Sequence, residues 1–254
     1  MSKLFSKDDF RDNCGFGLIA DINGIKSHKI INKSINALRS MTHRGAIGAD
    51  GKTGDGCGLL LNLDKDFFKN AISEEQKIKI TNEFAIGQIF TNDNIEPDLP
   101  KIEKILKSEN LILRAVRPVP VNKKILGTIA ESCLPNIYQL YIQSTDKVFY
   151  EEKFETNLYQ ARKLIEEIYL DDEQLYFCSL SSKTIIYKGL MLPDAIQDFY
   201  LDLGSSKFKS SVCVFHQRFS TNTHPRWHLA QPFRLLAHNG EINAIRGNRN
   251  WVKA

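Results

Sequence analysis

The stretch Asn13-Cys14-Gly15-Phe16-Gly17-Leu18-Ile19-Ala20 decides the fold, because one cysteine there opens an apolar run. A short apolar run that ends at a turn signal, here Asn23-Gly24, predicts a buried β-strand. Thirteen residues precede Cys14, and lysines and aspartates are among them. If the bond before Cys14 is cut, this residue offers a nucleophilic sulfur and a free α-amine that titrates at about pH 8.

Composition places the chain among globular proteins. Of its 254 residues, 42% are hydrophobic and 25% are charged, a balance typical of a folded domain with a real core. The net charge is +4, but the lysines alternate with acids, which argues against a nucleic-acid partner. No apolar run reaches the roughly 18 residues of a membrane span, and no secretory signal opens the chain, so we expect a cytoplasmic protein without membrane contact.

The cysteines indicate reduced thiols. Five widely spaced cysteines without a Cys-x-x-Cys pair predict neither a disulfide framework nor a zinc site. Cys133, Cys178 and Cys213 lie in apolar runs and are expected in the core. Cys57 is the one rival nucleophile, although a small residue in a crowded backbone is the favoured interpretation.

Two features follow the first strand. The spacing of Ile31, Ile35 and Leu38 predicts an amphipathic helix over 27–42, with Ser27 as its N-cap. The segment His43 to Gly58 then contains six glycines in sixteen residues. Such a density predicts unusual backbone angles and a close approach to another part of the molecule.

The middle of the chain predicts a scaffold. Strand-like runs at 83–90, 111–119, 137–143 and 175–181 alternate with helical stretches, the clearest at 151–169 with Phe154, Leu158, Ala161, Ile165 and Ile168 at helical spacing. Without a linker, these elements indicate one α/β or α+β domain.

Polar residues return at strand ends near the C-terminus. A predicted strand at 211–219 contains Arg218, and a second at 233–237 leads into Asn239-Gly240. An asparagine amide and a glycine N–H can stabilise the oxyanion formed when a thiolate attacks an amide, and arginine binds carboxylates in bidentate fashion. His224 and His228 have metal-ligand spacing, but Pro225 argues against a helical zinc pair. With Cys14, the arginine, asparagine and glycine predict hydrolysis of the amide of a small amino acid.

Several motifs together resemble one family. They are Cys14-Gly-Phe-Gly, His43-Arg-Gly-Ala-x-Gly-Ala-Asp, Thr53-Gly-Asp-Gly-Cys-Gly, Phe215-His-Gln-Arg-Phe-Ser-Thr-Asn-Thr, Trp227-x-x-Ala-Gln-Pro-Phe and His238-Asn-Gly-Glu-Ile-Asn-x-Ile-x-Gly-Asn-Arg-Asn-Trp. This set is similar to the N-terminal class II glutamine amidotransferase domain of the glutamate synthase large subunit. The similarity runs over nearly the whole chain from Cys14.

The resemblance implies an α+β fold, the four-layer αββα sandwich of N-terminal-nucleophile hydrolases. It implies that residues 1–13 are a propeptide and that 14–254 is the glutaminase domain, incomplete at its C-terminus. Cys14 would form a γ-glutamyl thioester with its own α-amine as base. Asn239 and Gly240 would form the oxyanion hole, Arg218 would bind the α-carboxylate of glutamine, and Thr221 would line the pocket.

The resemblance also implies partners outside this segment. No cofactor or metal is expected in the segment itself, while FMN and an iron–sulfur cluster belong to the synthase region of the full-length enzyme, which an electron-donating subunit would serve. The ammonia would pass to 2-oxoglutarate. Two alternatives stay open: an inactive truncated or assembly piece of a split glutamate synthase, and an amidotransferase with another ammonia acceptor.

Overall fold

Two antiparallel sheets form the centre of the molecule in a computed structural model that describes residues 15–169, 174–217, 224–234 and 246–254. The first sheet has the order β1-β8-β2-β7, with β1 Phe16–Ala20, β8 Val212–Gln217, β2 Cys57–Asn62 and β7 Thr184–Gly189. The second has the order β4-β5-β3-β6, with β4 Leu111–Pro118, β5 Asn136–Ser144, β3 Phe84–Thr91 and β6 Leu175–Ser181. All described strand pairs are antiparallel.

The α-helices of the described ranges connect and cover these sheets. They are α1 His28–Ser40, α2 Lys65–Gln76, α3 Leu99–Ser108, α4 Thr128–Ser132, α5 Glu151–Ile168, α6 Ile196–Phe199, α7 Leu201–Gly204 and α8 Arg246–Lys253. Helix α1 packs on β8 and β1, whereas α3 and α5 pack on the second sheet at β4 and β6. Over the parts of the chain that the structure describes, no helix is both long and apolar enough to cross a membrane.

The layers share two hydrophobic cores. One cluster joins α1 to both sheets, through residues such as Ile35, Leu59 and Ile86. The other fills the space under α3 and α5, with Ile102, Leu140 and Leu158 fully buried. Helix, sheet, sheet and helix therefore lie in sequence, and the expected α+β sandwich is confirmed.

A buried polar network adds specific contacts to this interior. The Arg117 guanidinium donates to Glu75 at 2.8 and 2.7 Å, to Asp202 at 2.9 and 3.0 Å, and to Gln139 Oε1 at 2.8 Å. Tyr187 on the first sheet donates to the same Asp202 at 2.9 Å. Because Gln139 lies on β5, the network joins the two sheets by hydrogen bonds as well as by apolar contact.

Most of the predicted elements are confirmed. The Asn23-Gly24 turn forms, with the N–H of Gly24 donating to Asp21 O at 3.0 Å and φ of Gly24 at +71°. Helix α1 buries Ile31, Ile35 and Leu38 completely. Ser27 occupies its N-cap position but makes no side-chain capping bond.

Two expectations were wrong, and a third, the strand at 233–237, is not met at the two positions that the structure describes. Strand β1 is not buried: it lies at a sheet edge with β8 as its neighbour in the described sheet, and Leu18 is 59% exposed. Cys133 is exposed, because the short helix α4 ends just before it. Residues 233 and 234 are not in a strand, and 235–237 lie outside the described residues.

Candidate active site

All five predicted site residues lie outside the described residues: Cys14, Arg218, Thr221, Asn239 and Gly240. The structure does describe their chain neighbours. Gly15 follows Cys14, Gln217 precedes Arg218, and the segment 224–234 lies between Thr221 and Asn239. The geometry of these neighbours therefore frames the candidate site.

The ladder between β1 and β8 brings the first two neighbours together. Phe16 pairs with His216, and each step along β1 moves one step back along β8. Beyond the last strand pair, the backbone N–H of Gln217 donates to the carbonyl oxygen of the buried Gly15. The residue after Cys14 and the residue before Arg218 are thus hydrogen-bonded neighbours.

The glycine-rich segment packs against this end of the sheet. Gly45, at φ −97°, has no need of glycine for its backbone angle. A Cβ there would collide with Nε2 of Gln217 and lie 2.7 Å from Oδ1 of Asp55. At Gly54, a Cβ would instead meet the backbone of Met191. The predicted close approach is therefore confirmed: Gly45 leaves room for the Gln217 side chain, and Gly54 leaves room for the backbone of Met191.

Asp50 and Thr53 anchor the same segment to α4. The Asp50 carboxylate accepts from the Thr53 hydroxyl at 2.6 Å and from the N–H of Ile129 at 3.0 Å. The Thr53 hydroxyl accepts from the N–H of Ala130 at 3.1 Å. These bonds satisfy N–H groups in the first turn of α4, which have no partner within the helix. The Thr53 hydroxyl, followed by backbone N–H donors, holds the pKa of Asp50 well below its ordinary value.

Cys57, the rival thiol, is buried inside the first sheet. It pairs with Gln217 on one side and with Gly189 on the other, and its thiol donates to Met191 O at 3.3 Å. Burial, and then the charge of Asp55, raise the pKa of Cys57 well above its ordinary value. Since the thiolate is the reactive form, Cys57 is a poor nucleophile, and its interpretation as a core residue is confirmed.

Segment 224–234 is held by the Lys188 side chain of β7, by backbone carbonyls of α4 and β6, and by the Glu166 carboxylate of α5. Lys188 Nζ donates to His228 O at 2.7 Å, and Trp227 Nε1 donates to Ala130 O at 3.1 Å. Arg234 bonds the carbonyl of Phe177 and pairs with Glu166 at 3.3 Å. These contacts hold the described segment within the 3₁₀ turn Trp227–Leu229 and at Arg234, five residues after it. His224 lies before that turn, so the two histidines do not share a continuous helix.

Sequence reasoning missed two residues of this region. The sequence does contain a signal for Gln217: it alternates with Phe215 and Cys213, which predicts a glutamine on the buried face of a strand. Lys188 gave no signal, because its partners lie at 176, 228 and 233, far away in sequence. The strand-like runs predicted from the sequence also do not include β7, the strand that contains Lys188.

The chain belongs to the class II glutamine amidotransferases: residues 14–254 match the family described as "Glutamine amidotransferases class-II". It is therefore a glutamine amidotransferase with an N-terminal-nucleophile hydrolase domain. The resemblance to glutamate synthases is confirmed as well.

Three relatives illustrate this similarity. The chain is 40% identical over 259 residues to the large chain of glutamate synthase [NADPH] from Azospirillum brasilense, covering 100% of this chain and 17% of that one. It is 41% identical over 257 residues to ferredoxin-dependent glutamate synthase 1, chloroplastic/mitochondrial, from Arabidopsis thaliana, with coverage of 96% and 15%. It is 40% identical over 265 residues to glutamate synthase [NADH] from Saccharomyces cerevisiae, with coverage of 99% and 12%. The chain thus spans between 12% and 17% of the length of these three relatives.

Proposed function

We propose that this domain performs the glutaminase half-reaction of a glutamate synthase, hydrolysing L-glutamine to glutamate and ammonia through a thioester on Cys14. The proposal includes removal of residues 1–13 as a propeptide, which leaves 14–254 as the working domain. The observation that carries it is the hydrogen bond between Gly15 and Gln217 in a class II amidotransferase chain. It joins the backbone next to the proposed nucleophile to the backbone next to the proposed carboxylate-binding arginine.

In the first step, the α-amine of Cys14 takes the thiol proton through a water molecule. The sulfur attacks the side-chain amide carbon of glutamine and forms a C–S bond. The Asn239 amide and the Gly240 N–H stabilise the resulting oxyanion, each such donor contributing on the order of 3 kcal/mol. The proton then moves to the amide nitrogen, the C–N bond breaks and ammonia leaves.

In the second step, water attacks the thioester carbon. The C–S bond breaks, the sulfur regains its proton and glutamate leaves. Arg218 binds the substrate α-carboxylate with its planar fork of N–H donors, and Thr221 lines the same pocket. The raised pKa values of Cys57, Cys178 and Cys213 support Cys14 as the nucleophile, because these three buried thiols remain protonated at neutral pH.

The ammonia acceptor in this proposal is 2-oxoglutarate, supported by the glutamate synthases among the relatives. We assign FMN, an iron–sulfur cluster and contact with an electron-donating subunit to a synthase region in the same or a separate chain. Across the described ranges, no group of three or more His, Cys, Asp or Glu residues could hold a metal ion. The four cysteines within the described ranges are free thiols, which supports a cytoplasmic location, where disulfides are rare.

Intact-mass analysis of the purified protein tests the nucleophile directly. We expect a mass that lacks residues 1–13 and covalent addition of a thiol-alkylating glutamine analogue at Cys14. The Cys14→Ser variant should lose the label, and the matched variant Cys133→Ser should keep it. If Met1 to Asn13 remain attached and the analogue does not label Cys14, the proposal fails.

Ammonia release by the purified chain separates the remaining alternatives. Turnover of glutamine by the chain alone would exclude an inactive assembly piece. If the chain lacks residues 1–13 but does not turn over glutamine, the result would favour the alternative that it is an inactive assembly piece. If a reconstituted synthase used the ammonia on an acceptor other than 2-oxoglutarate, only that part of the proposal would be wrong.

A further inference from the structure

Gln217 is a fully buried glutamine at the end of β8. It shares a face of the strand with Phe215 and Cys213, which are 4% and 0% exposed and belong to the core under α1. An apolar side chain at position 217 could pack in this core without leaving a polar group buried. A glutamine there is therefore unusual, since buried polar groups generally have a hydrogen-bond partner.

The carboxamide of Gln217 lacks such a partner. Among the residues that the structure describes, neither its Oε1 nor its Nε2 makes a hydrogen bond. The backbone N–H of Gln217, by contrast, donates a hydrogen bond to the carbonyl oxygen of Gly15. A buried amide without a partner lowers stability, and such local costs are commonly found where a side chain serves function.

Gly45 gives the carboxamide its space. A Cβ at this position would overlap Nε2 of Gln217, so glycine is required by the side chain and not by the local backbone angle. The glycine-rich segment and β8 thus enclose one amide, beside the residue that follows Cys14. In the β1–β8 ladder Phe16 faces His216, and the Gln217 N–H donates to Gly15 O, the carbonyl of the residue that follows Cys14 in the sequence.

We propose that Gln217 is a positioning residue for Cys14, and that its carboxamide oxygen accepts a hydrogen bond from the α-amino group created by removal of residues 1–13. The inference rests on the proposed function, because that amine exists only in the processed chain. An uncleaved chain has a peptide nitrogen instead of the amine at this position. Gln217 would then orient the amine that acts as the base, and it would contact neither the sulfur nor the substrate.

Two other groups face the carboxamide and bear on its electrostatics. Oδ1 of Asp55 approaches the same point beside Gly45, and the thiol of Cys57 lies on the adjacent strand directly opposite Gln217. The Cys57 thiol stays neutral because its pKa is raised by burial. Asp55 is thus the acidic neighbour of the glutamine, and it favours a positively charged amine nearby.

The variant Gln217→Met separates positioning from structure, because methionine has a similar length and no amide. If Gln217 is only structural, removal of an amide without a partner should leave kcat unchanged and raise Tm by a few degrees. If it positions the amine, Tm should stay or rise while kcat falls about tenfold or more, with KM for glutamine little changed. Unchanged kcat in a processed Gln217→Met enzyme would overturn the inference.

A second variant covers the case in which Gln217→Met fails to fold. Gln217→Glu keeps the size and one acceptor oxygen, and a negative charge beside the amine raises the pKa of the amine. The acid limb of the pH profile of kcat/KM should therefore move to higher pH. An acid limb identical to that of the wild-type enzyme would count against the inference.

Gln88→Met is the matched control. Gln88 is also fully buried, but it lies on β3 of the other sheet and accepts from Gln139 at 3.0 Å. This variant should lose stability and retain kcat. The outcomes also distinguish the two proposals: an unprocessed, inactive wild-type chain refutes the proposed function together with this inference, whereas an active wild type with an equally active Gln217→Met refutes the inference alone.

Discussion

The ammonium of Lys188 donates to the carbonyl oxygen of His228 at 2.7 Å, inside the protein and among neutral partners. Its other hydrogen bond goes to the Tyr176 hydroxyl at 3.2 Å, and the rings of Tyr176 and Phe233 lie 4.7 and 4.8 Å from Nζ. Burial first, and the positive charge of Arg234 to a lesser extent, lower the pKa of Lys188 to about 8. This buried cation helps to fix the described segment 224–234, through His228 and Phe233.

Lys188 predicts a rise of stability with pH. Its pKa is about 8 in the folded protein and about 10.4 in the unfolded chain, so the unfolded chain binds more protons between these values. The free energy of unfolding should therefore rise through this window, by about 2 kcal/mol between pH 8 and 10 relative to Lys188→Met. Urea unfolding of both proteins at the two pH values measures this difference. Equal pH slopes for wild type and variant would contradict the prediction.

Arg117 predicts a large and asymmetric stability loss. Its side chain is 2% exposed and pairs with Asp202, which is 3% exposed, and with Glu75, which is 43% exposed. Arg117→Met leaves the Asp202 carboxylate buried without its cation and should cost about 3–5 kcal/mol. Glu75→Gln, the control at the exposed end, should cost about 1 kcal/mol or less. Chemical denaturation of both variants provides the test, and similar losses would show that burial does not set the effect.

The described cysteines should differ sharply in reactivity. Burial raises the pKa values of Cys178 and Cys213 to about 12 and that of Cys57 further, whereas Cys133 is exposed. Iodoacetamide at pH 8 should modify Cys133 in the native protein and spare the other three. Peptide mapping by mass spectrometry reports each site, with urea-unfolded protein as the fully labelled control. Modification of native Cys57 as fast as Cys133 would be incompatible with the packing of β2.

Two glycines of the glycine-rich segment His43 to Gly58 should respond differently to alanine: one substitution should lower kcat, and the other should lower stability. Gly45→Ala should displace the Gln217 side chain, with kcat reduced severalfold and KM for glutamine nearly constant. Gly51 has φ +71° and no atom within 4 Å of a new Cβ, so Gly51→Ala should cost about 1 kcal/mol of stability through its backbone angle and leave kcat intact. Glutaminase kinetics and thermal unfolding of both variants check the pair, and equal kcat values would remove the proposed role of Gly45.

Local sequence patterns were sufficient for most of the scaffold. The three-four spacing of Ile31, Ile35 and Leu38 located α1, and four strand-like runs became β3, β4, β5 and β6 with ends within two residues. Such patterns depend on neighbours along the chain, which a sequence displays directly.

The errors arose where tertiary position decides burial. The apolar run of β1 is compatible with either the centre or the edge of a sheet, and only the strand order shows that Leu18 is exposed. Cys133 has the same explanation, since its apolar neighbours form the short helix α4 that ends before it. The partners of Lys188 and the empty space at Gly45 depend on contacts between distant segments, for which a single sequence has no periodic signal.

The pairing of β1 with β8 also determines when this part of the first sheet can form during synthesis. The two strands meet at Phe16 and His216, two hundred positions apart. At synthesis rates of about 5–20 residues per second, the ribosome needs roughly 10–40 seconds to make this stretch. Strand β1 therefore lacks its partner until the ribosome has synthesised β8, the last strand that the structure describes. The β1–β8 pair, beside which the candidate site lies, is thus among the last described strand pairs to form.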